Sequence, residues 1–186
     1  MVSFQRSNAG ISRVQHPGDY ANPIPTNPAT APADLREVDT IFDELTAYSQ
    51  HIDGVLRRDN AAYEFVTALP SGYEPCHKHA FLAKCQGVAV GLLDIIDGYP
   101  VPGTAFIGLL AVRESAQESG VGRALFREAE RFARDDLRAR TLRLAVVETN
   151  PVMGFWMKMG FRPTGEVKPF KGEAIKSRST LMEKEL

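Results

Sequence analysis

The sequence predicts one mixed α/β domain, and three stretches carry that prediction. The apolar run Ala105–Val112 leads into the glycine-bearing turn Gln117-Glu118-Ser119-Gly120-Val121-Gly122-Arg123. That turn opens an amphipathic helix with Val121, Leu125, Ala129, Phe132 and Leu137 on one side and Arg123, Arg127, Glu130, Arg131 and Arg134 on the other. Two shorter apolar runs, His77 to Cys85 and Val88 to Ile96, meet at Gln86-Gly87 in the manner of a hairpin. Upstream, Leu35, Val38, Ile41, Phe42, Leu45 and Tyr48 recur at helical spacing.

Composition bounds the answer. A chain of 186 residues with 44% hydrophobic content is long enough for one well-buried core and short for two. Its formal net charge is −1, from 22 basic and 23 acidic residues mixed along the chain, so no overall field favours nucleic acid or an anionic bilayer. Cys76 and Cys85 lie in or beside one strand, too far apart along it to be bridged, which suits a reducing compartment. Met1-Val2-Ser3-Phe4-Gln5-Arg6 has no apolar run of signal-peptide type, and no stretch approaches transmembrane length, so a cytoplasmic protein without a membrane partner is expected.

Taken in order, residues 1–30 are rich in Pro, Asn, Gly and Ser and lack periodicity, and read as an extended arm with a short edge strand around Ile24 to Thr30. Residues 31–186 form the domain. Pro32 at a first helical position and Asp34 in the first turn start a helix that runs to about Gln50. Asn60 caps a second helix through Tyr63, Phe65, Val66 and Leu69, stopped by Pro70. After the hairpin, His77 and His79 are two apart on one strand face, a spacing compatible with a metal; with no third ligand nearby in sequence, a polar outer face explains them and no metal is expected. Thr141 to Val147 is a continuous apolar strand of the buried, parallel type, interrupted only by Arg143. Asn150 as N-cap, Pro151 as first helical residue and Gly160 as stop define a short last helix. Arg162 to Val167 and Ile175 to Glu185 close the sheet, joined by a loop bearing Lys168, Lys171 and Glu173.

The turn from Gln117 to Arg123 is an anion cradle. Gly120 and Gly122 lack a Cβ, so a phosphate can approach the main chain where the free N–H groups of the first helical turn point outward with the positive end of the helix dipole. P-loop and dinucleotide-binding proteins use the same device but fit poorly: the turn ends Gly122-Arg123-Ala124 where a Walker lysine is needed, and Leu125 stands where a third glycine is needed.

Gln117, Gly120 and Gly122 match the Gln/Arg-x-x-Gly-x-Gly/Ala motif of the GNAT superfamily of N-acetyltransferases. Asn150-Pro151-Val152-Met153-Gly154-Phe155-Trp156-Met157-Lys158-Met159-Gly160-Phe161 resembles that family's next segment, with Gly154 near its usual small residue. The resemblance implies a mostly antiparallel central sheet of six to seven strands with about four helices on its two faces. It also implies transfer of an acetyl group from acetyl-CoA to a primary amine by direct attack in a ternary complex.

By the same resemblance, the core strand and the strand before the second motif diverge. The main chain of Leu110, Ala111 and Val112 would then pair with the pantetheine arm like an added strand, with the Leu110 N–H polarising the thioester carbonyl. The main chain of Gln117, Glu118, Ser119, Gly120, Val121, Gly122 and Arg123 would hold the pyrophosphate, and Asn150, Phe155 and Trp156 would cover pantetheine and acetyl group. The two early helices would wall the acceptor side, making Tyr48, His51, Asp53, Arg57, Arg58 and Tyr63 candidates for substrate contact, although a solvated helix face would look the same. For the general base Glu148 is the first candidate and Asp94 the second. The tyrosine that often protonates the leaving thiolate is replaced by Trp156, which has no acidic proton, leaving Tyr99 or water.

The acceptor is expected to be a small-molecule amine or a protein or peptide amine; a homodimer is compatible with the sequence. A non-catalytic acyl-CoA-binding regulatory module of the same fold is the alternative. A dinucleotide-binding oxidoreductase half, with affinity for NAD and none for CoA, is the third reading.

Overall fold

The computed structural model describes residues 9–14 and 33–186. Its strands are β1 (Ala9–Val14), β2 (Lys78–Cys85), β3 (Val88–Asp97), β4 (Thr104–Val112), β5 (Thr141–Val147), β6 (Arg162–Lys171) and β7 (Lys176–Glu185), in one sheet of order β1-β2-β3-β4-β5-β7-β6. All neighbours are antiparallel except β4 and β5. The helices are α1 (Ala33–Asp43), α2 (Thr46–Asp53), α3 (Ala61–Thr67), α4 (Val121–Arg131) and α5 (Met153–Lys158). Each sheet face carries its own core: Leu93, Ile95, Leu125, Leu142 and Met182 beneath α4 and α5, and Val38, Ile41, Leu45, Val66 and Leu92 beneath α1 to α3. The mixed sheet with helices on both faces is the predicted class, and the hairpin turn is as predicted, with positive φ at both Gln86 and Gly87.

The centre of the sheet is irregular in one place. Asp94 pairs with Leu109 and Ile95 with Ile107, so Gly108 is the extra residue of a bulge in β4. Pairing of β4 with β5 runs only from Thr104 to Ile107 and stops at that bulge. Beyond it β5 stays bonded to β7 as far as Val147 opposite Ser179. The sheet therefore splays open between Gly108–Val112 and Ala145–Val147. A side chain cannot replace the glycine hydrogen here: a Cβ on Gly108 would lie 2.4 Å from Asp94 Oδ2, and that carboxylate is itself buried and held by Lys78.

The sequence reading needs correction at several element ends. The single helix expected to reach Gln50 is broken at Glu44-Leu45, whose N–H groups bond back to Ile41 and Phe42 in a tighter turn. The break is fixed from outside: the Glu44 carboxylate accepts from Arg113 and from Ser115 Oγ (2.8 Å), and Glu114 Oε1 accepts from Ala47 N (2.8 Å) in the first turn of α2. Asn60 precedes α3 but caps nothing with its side chain; it takes a left-handed φ of 59°, which asparagine tolerates. Asn150 and Pro151 form a turn before α5, which begins at Met153, because the Asn150 N–H bonds to Val147 O at the end of β5. The structure places β6 through Lys171, so Lys168 and Lys171 both belong to the strand and the connection is only Gly172 to Ile175.

His77 sits in the short turn Pro75–His77 and does not share a strand face with His79; among the described residues no three potential ligands gather as a metal site. The edge strand β1 falls inside the stretch read as an arm, while Pro32 and the strand expected around Ile24 to Thr30 lie outside the described residues. Among the described residues no helix is long and apolar enough to cross a membrane.

Replacing Gly108 by Ala forces the Asp94 carboxylate off Lys78 or closes the bulge, and it should cost about 1–3 kcal/mol, typical of overpacking. Thermal unfolding should show a Tm several degrees below wild type. An unchanged Tm would mean that the carboxylate is not clamped against the bulge.

Candidate active site

Two features meet at the bulge. On the splayed side, strand parity decides what β4 offers. Arg113 N donates to Val90 O at 3.0 Å, so alternate residues Ala111 and Leu109 also turn their main chain toward β3, while Leu110 and Val112 turn theirs into the gap facing β5. The Val112 carbonyl accordingly accepts from the Gln117 side chain at 3.1 Å rather than from β3. The strand then leads through Glu114–Ala116 to Gly120, whose φ of +91° favours glycine although the space around it is open. The first backbone bond of α4 is Ala124 N to Gly120 O, which leaves the N–H groups of Val121, Gly122 and Arg123 without intrahelical acceptors. A Cβ on Gly122 would sit in ordinary contact with Val112 and Phe155 at 3.7–3.9 Å, so a larger side chain there would fill the space between them. Free amides at the positive end of an 11-residue helix, next to an unpaired strand edge, fit a pyrophosphate joined to an extended amide-bearing chain.

On the other face of the same bulge lies a cavity of about 170 Å³. Gly108, Leu109 and Asp94 line it from the sheet, and Tyr48, Asp53 and Arg58 from α2 and the loop after it. Asp94 is 6% exposed; its Oδ2 accepts from Lys78 Nζ at 2.8 Å, whereas its Oδ1 has no hydrogen-bond partner among the described residues. Burial pushes the Asp94 carboxyl up to about 6, against the pull of the Lys78 charge. Burial together with the neighbouring Asp53 pushes the Tyr48 hydroxyl up to about 12, so it is neutral near pH 7. Arg58 bridges Asp53 and Glu64 across the cavity.

Other candidates fall elsewhere. Glu148 is in an ion pair with Arg178 at 3.1 Å, both side chains well exposed, and does not line the cavity. Tyr99 packs edge-on against Tyr73 and Phe106; from Phe106 to Leu110 is four strand residues, roughly 13 Å, so the phenol is not brought to the splay. Trp156 is 7% exposed and packs edge-on against Phe126, Phe155 and Phe161 in the core, whereas Phe155 of that pair faces Gly122. Asn150 stands in the turn after β5, half-buried. Of the helical candidates, Tyr48, Asp53 and Arg58 line the cavity, whereas His51, Arg57 and Tyr63 do not; Arg57 pairs with Asp39 and Asp43.

Sequence reasoning missed Lys78, Gly108 and the group Glu44, Arg113, Glu114. A glycine inside an apolar strand is a bulge signal, and a lysine heading an apolar run is a signal for a buried partner; both were present.

A model of the acetyltransferase (GNAT) family matches residues 40–161. Among solved structures, an acetyltransferase from Thermus thermophilus is 27% identical with a TM-score of 0.64, over 84% of this chain and 94% of that chain. A Bacillus subtilis acetyltransferase in complex with CoA is 17% identical with a TM-score of 0.60, over 96% of this chain and 99% of that chain. An Elizabethkingia anophelis GNAT family acetyltransferase with acetyl-CoA bound is 17% identical with a TM-score of 0.59, over the same 96% and 99%. No curated protein is matched by the chain.

The geometry at Asp94 generates a direct check. In ¹³C-detected titration of the ligand-free protein, the Asp94 carboxyl should titrate near 6. In Lys78→Met the midpoint should rise by one unit or more, because desolvation then acts without the opposing ammonium. A midpoint in the ordinary range of about 4 in wild type would show that the carboxyl is hydrated.

Proposed function

The chain belongs to the GNAT acetyltransferase family, and from that premise we propose that it is an N-acetyltransferase carrying the acetyl group of acetyl-CoA to a primary amine that attacks directly in a ternary complex. One observation carries this reading: the splayed edge of β4 and the acidic cavity meet at the same bulge, so that Gly108 and Leu109 border the cavity while the next residue, Leu110, presents its main chain to the gap. An acyl donor in the gap and an amine in the cavity are then neighbours across one strand.

When bound, acetyl-CoA supplies an activated acyl group as a thioester. The chain's contribution is positional and electrostatic. Val121, Gly122 and Arg123 offer main-chain donors for the pyrophosphate, with Gln117 holding the loop to Val112 through its side chain. The Leu110 and Val112 main-chain groups hold the extended arm, and the Leu110 N–H is the donor aimed at the thioester carbonyl. Phe155 flanks the space beside Gly122.

Asp94 is assigned as the general base in preference to Glu148. It lines the cavity, has an oxygen without a hydrogen-bond partner among the described residues, and has a pKa near the operating range, so that it is mostly ionised at pH 7 yet basic enough to take a proton from an ammonium. Glu148 is reserved for its exposed pair with Arg178. No side chain is assigned to the leaving thiolate, since Trp156 has no acidic proton and Tyr99 stands apart; water takes that role.

Gly122→Val fills the space between Val112 and Phe155, and should lower CoA affinity by tenfold or more in calorimetry with little change in Tm; unchanged affinity would place the cradle elsewhere. In a thiol-release assay, kcat/KM should fall as pH drops through about 6, the Asp94 carboxylate being lost by protonation. Asp94→Asn should cost on the order of 10²-fold or more and abolish that limb, while Glu148→Gln keeps both rate and profile. Tight CoA binding with no turnover on any amine would favour the regulatory module instead.

A further inference from the structure

The charge and shape of the cavity narrow the acceptor, on the premise of the acetyl-transfer reading above. We infer that the acceptor is a small primary amine with an apolar body and no carboxylate group.

The charge balance of the lining carries the first half. Asp53, Glu64 and Asp94 face a single lining cation, Arg58. Counting Lys78 behind Asp94 as well, the carboxylates outnumber the cations three to two. Arg58 is already engaged by Asp53 at 3.8 Å and by Glu64, so its guanidinium is shared between two anions before any ligand arrives. Tyr48 adds a neutral hydroxyl. An ammonium entering this cavity meets complementary potential and the Asp94 Oδ1, which is buried and without a hydrogen-bond partner among the described residues. A carboxylate entering with it meets a negative surplus and an arginine whose partners it must displace.

Size and polarity carry the second half. About 170 Å³ is well below the roughly 300 Å³ at which drug-sized ligands begin to be enclosed, so the enclosed part of the acceptor is small. Phe42, Phe65 and Ile52 are each under one-tenth exposed and supply an apolar wall, the two rings packed edge to face at 6.3 Å. That wall suits an alkyl or aryl body better than a hydroxylated or multiply charged one.

Matched pairs test this whatever the natural acceptor is: 2-phenylethylamine against phenylalanine, and 3-methylbutylamine against leucine. Phenylalaninamide controls for bulk without charge. Binding is measured by calorimetry on the CoA-saturated full chain, and turnover by thiol release from acetyl-CoA. The expected result is that each amine exceeds its amino acid by on the order of 10²-fold in both readouts, with phenylalaninamide close to the amine. Amino acids bound and turned over as well as or better than the amines would overturn the inference and leave acetyl transfer standing. The expected discrimination in binding with no thiol released would uphold the cavity's preference for such amines as ligands and overturn the acetyl-transfer reading. Absence of binding by every member of both pairs would overturn the inference.

Discussion

The buried pair of Lys78 and Asp94 against Gly108 is the constraint on which the rest depends. The two side chains take charge out of water, and that cost is recovered only because the Nζ–Oδ2 contact is short and direct, 2.8 Å. Losing one partner would leave an uncompensated buried charge, at a typical cost of about 3–5 kcal/mol. The carboxylate occupies the space where a side chain on Gly108 would lie, and the extra residue at Gly108 ends the pairing of β4 with β5. One ion pair thus accounts for an acid in the cavity and sits at the start of the open edge beyond it.

An open sheet needs something to hold its two halves at a set distance, and α2 is placed to do so. Its first turn is bonded to Glu114 in the connection leading from β4 to the cradle. Its last turn is bonded from across the splay: Thr149 Oγ1 donates to His51 O at 2.5 Å, and Ala174 N in the β6–β7 connection donates to Asp53 O at 2.7 Å. The approach of that connection is close enough that a Cβ on Gly172 would lie 2.4 Å from Ile52 O. The helix that carries Tyr48 and Asp53 into the cavity is therefore tied at one end to the connection between β4 and α4 and at the other to the far half of the sheet. This explains why the long apolar period from Leu35 to Tyr48 is not one helix: packing favours continuity, but the Glu44 and Glu114 hydrogen bonds fix a break.

What could be read beforehand follows from the range of each signal. Strand and helix periods and the Gln86-Gly87 hairpin are local signals, and they placed the hairpin β2–β3, the strands β4 and β5 and the helix α4, while element ends such as the break between α1 and α2 were not legible. The splay came through resemblance alone, since nothing in the Thr141 to Val147 run says where its pairing with β4 stops. Capping by Asn60 and Asn150 failed because each backbone is set otherwise: Asn60 adopts a left-handed conformation, and the Asn150 N–H bonds back to the end of β5. The difference between Glu148 and Asp94 was out of reach of the sequence, because it is one of burial. Asp94 lies within β3 and Glu148 just past the end of β5, yet Glu148 reaches solvent beside Arg178 whereas Asp94 lies against Lys78, 16 residues away in the chain.

The edge of β4 beyond the bulge, together with the first turn of α4, is the proposed seat of the acyl donor. Amide hydrogen exchange of the full chain with and without CoA tests it residue by residue. Slowed exchange at Leu110, Val112, Val121, Gly122 and Arg123, with Ala111 unchanged because its N–H already bonds to β3, is the predicted pattern. Protection confined to other parts of the sheet, with Leu110 and Val112 exchanging as freely as before, would contradict it.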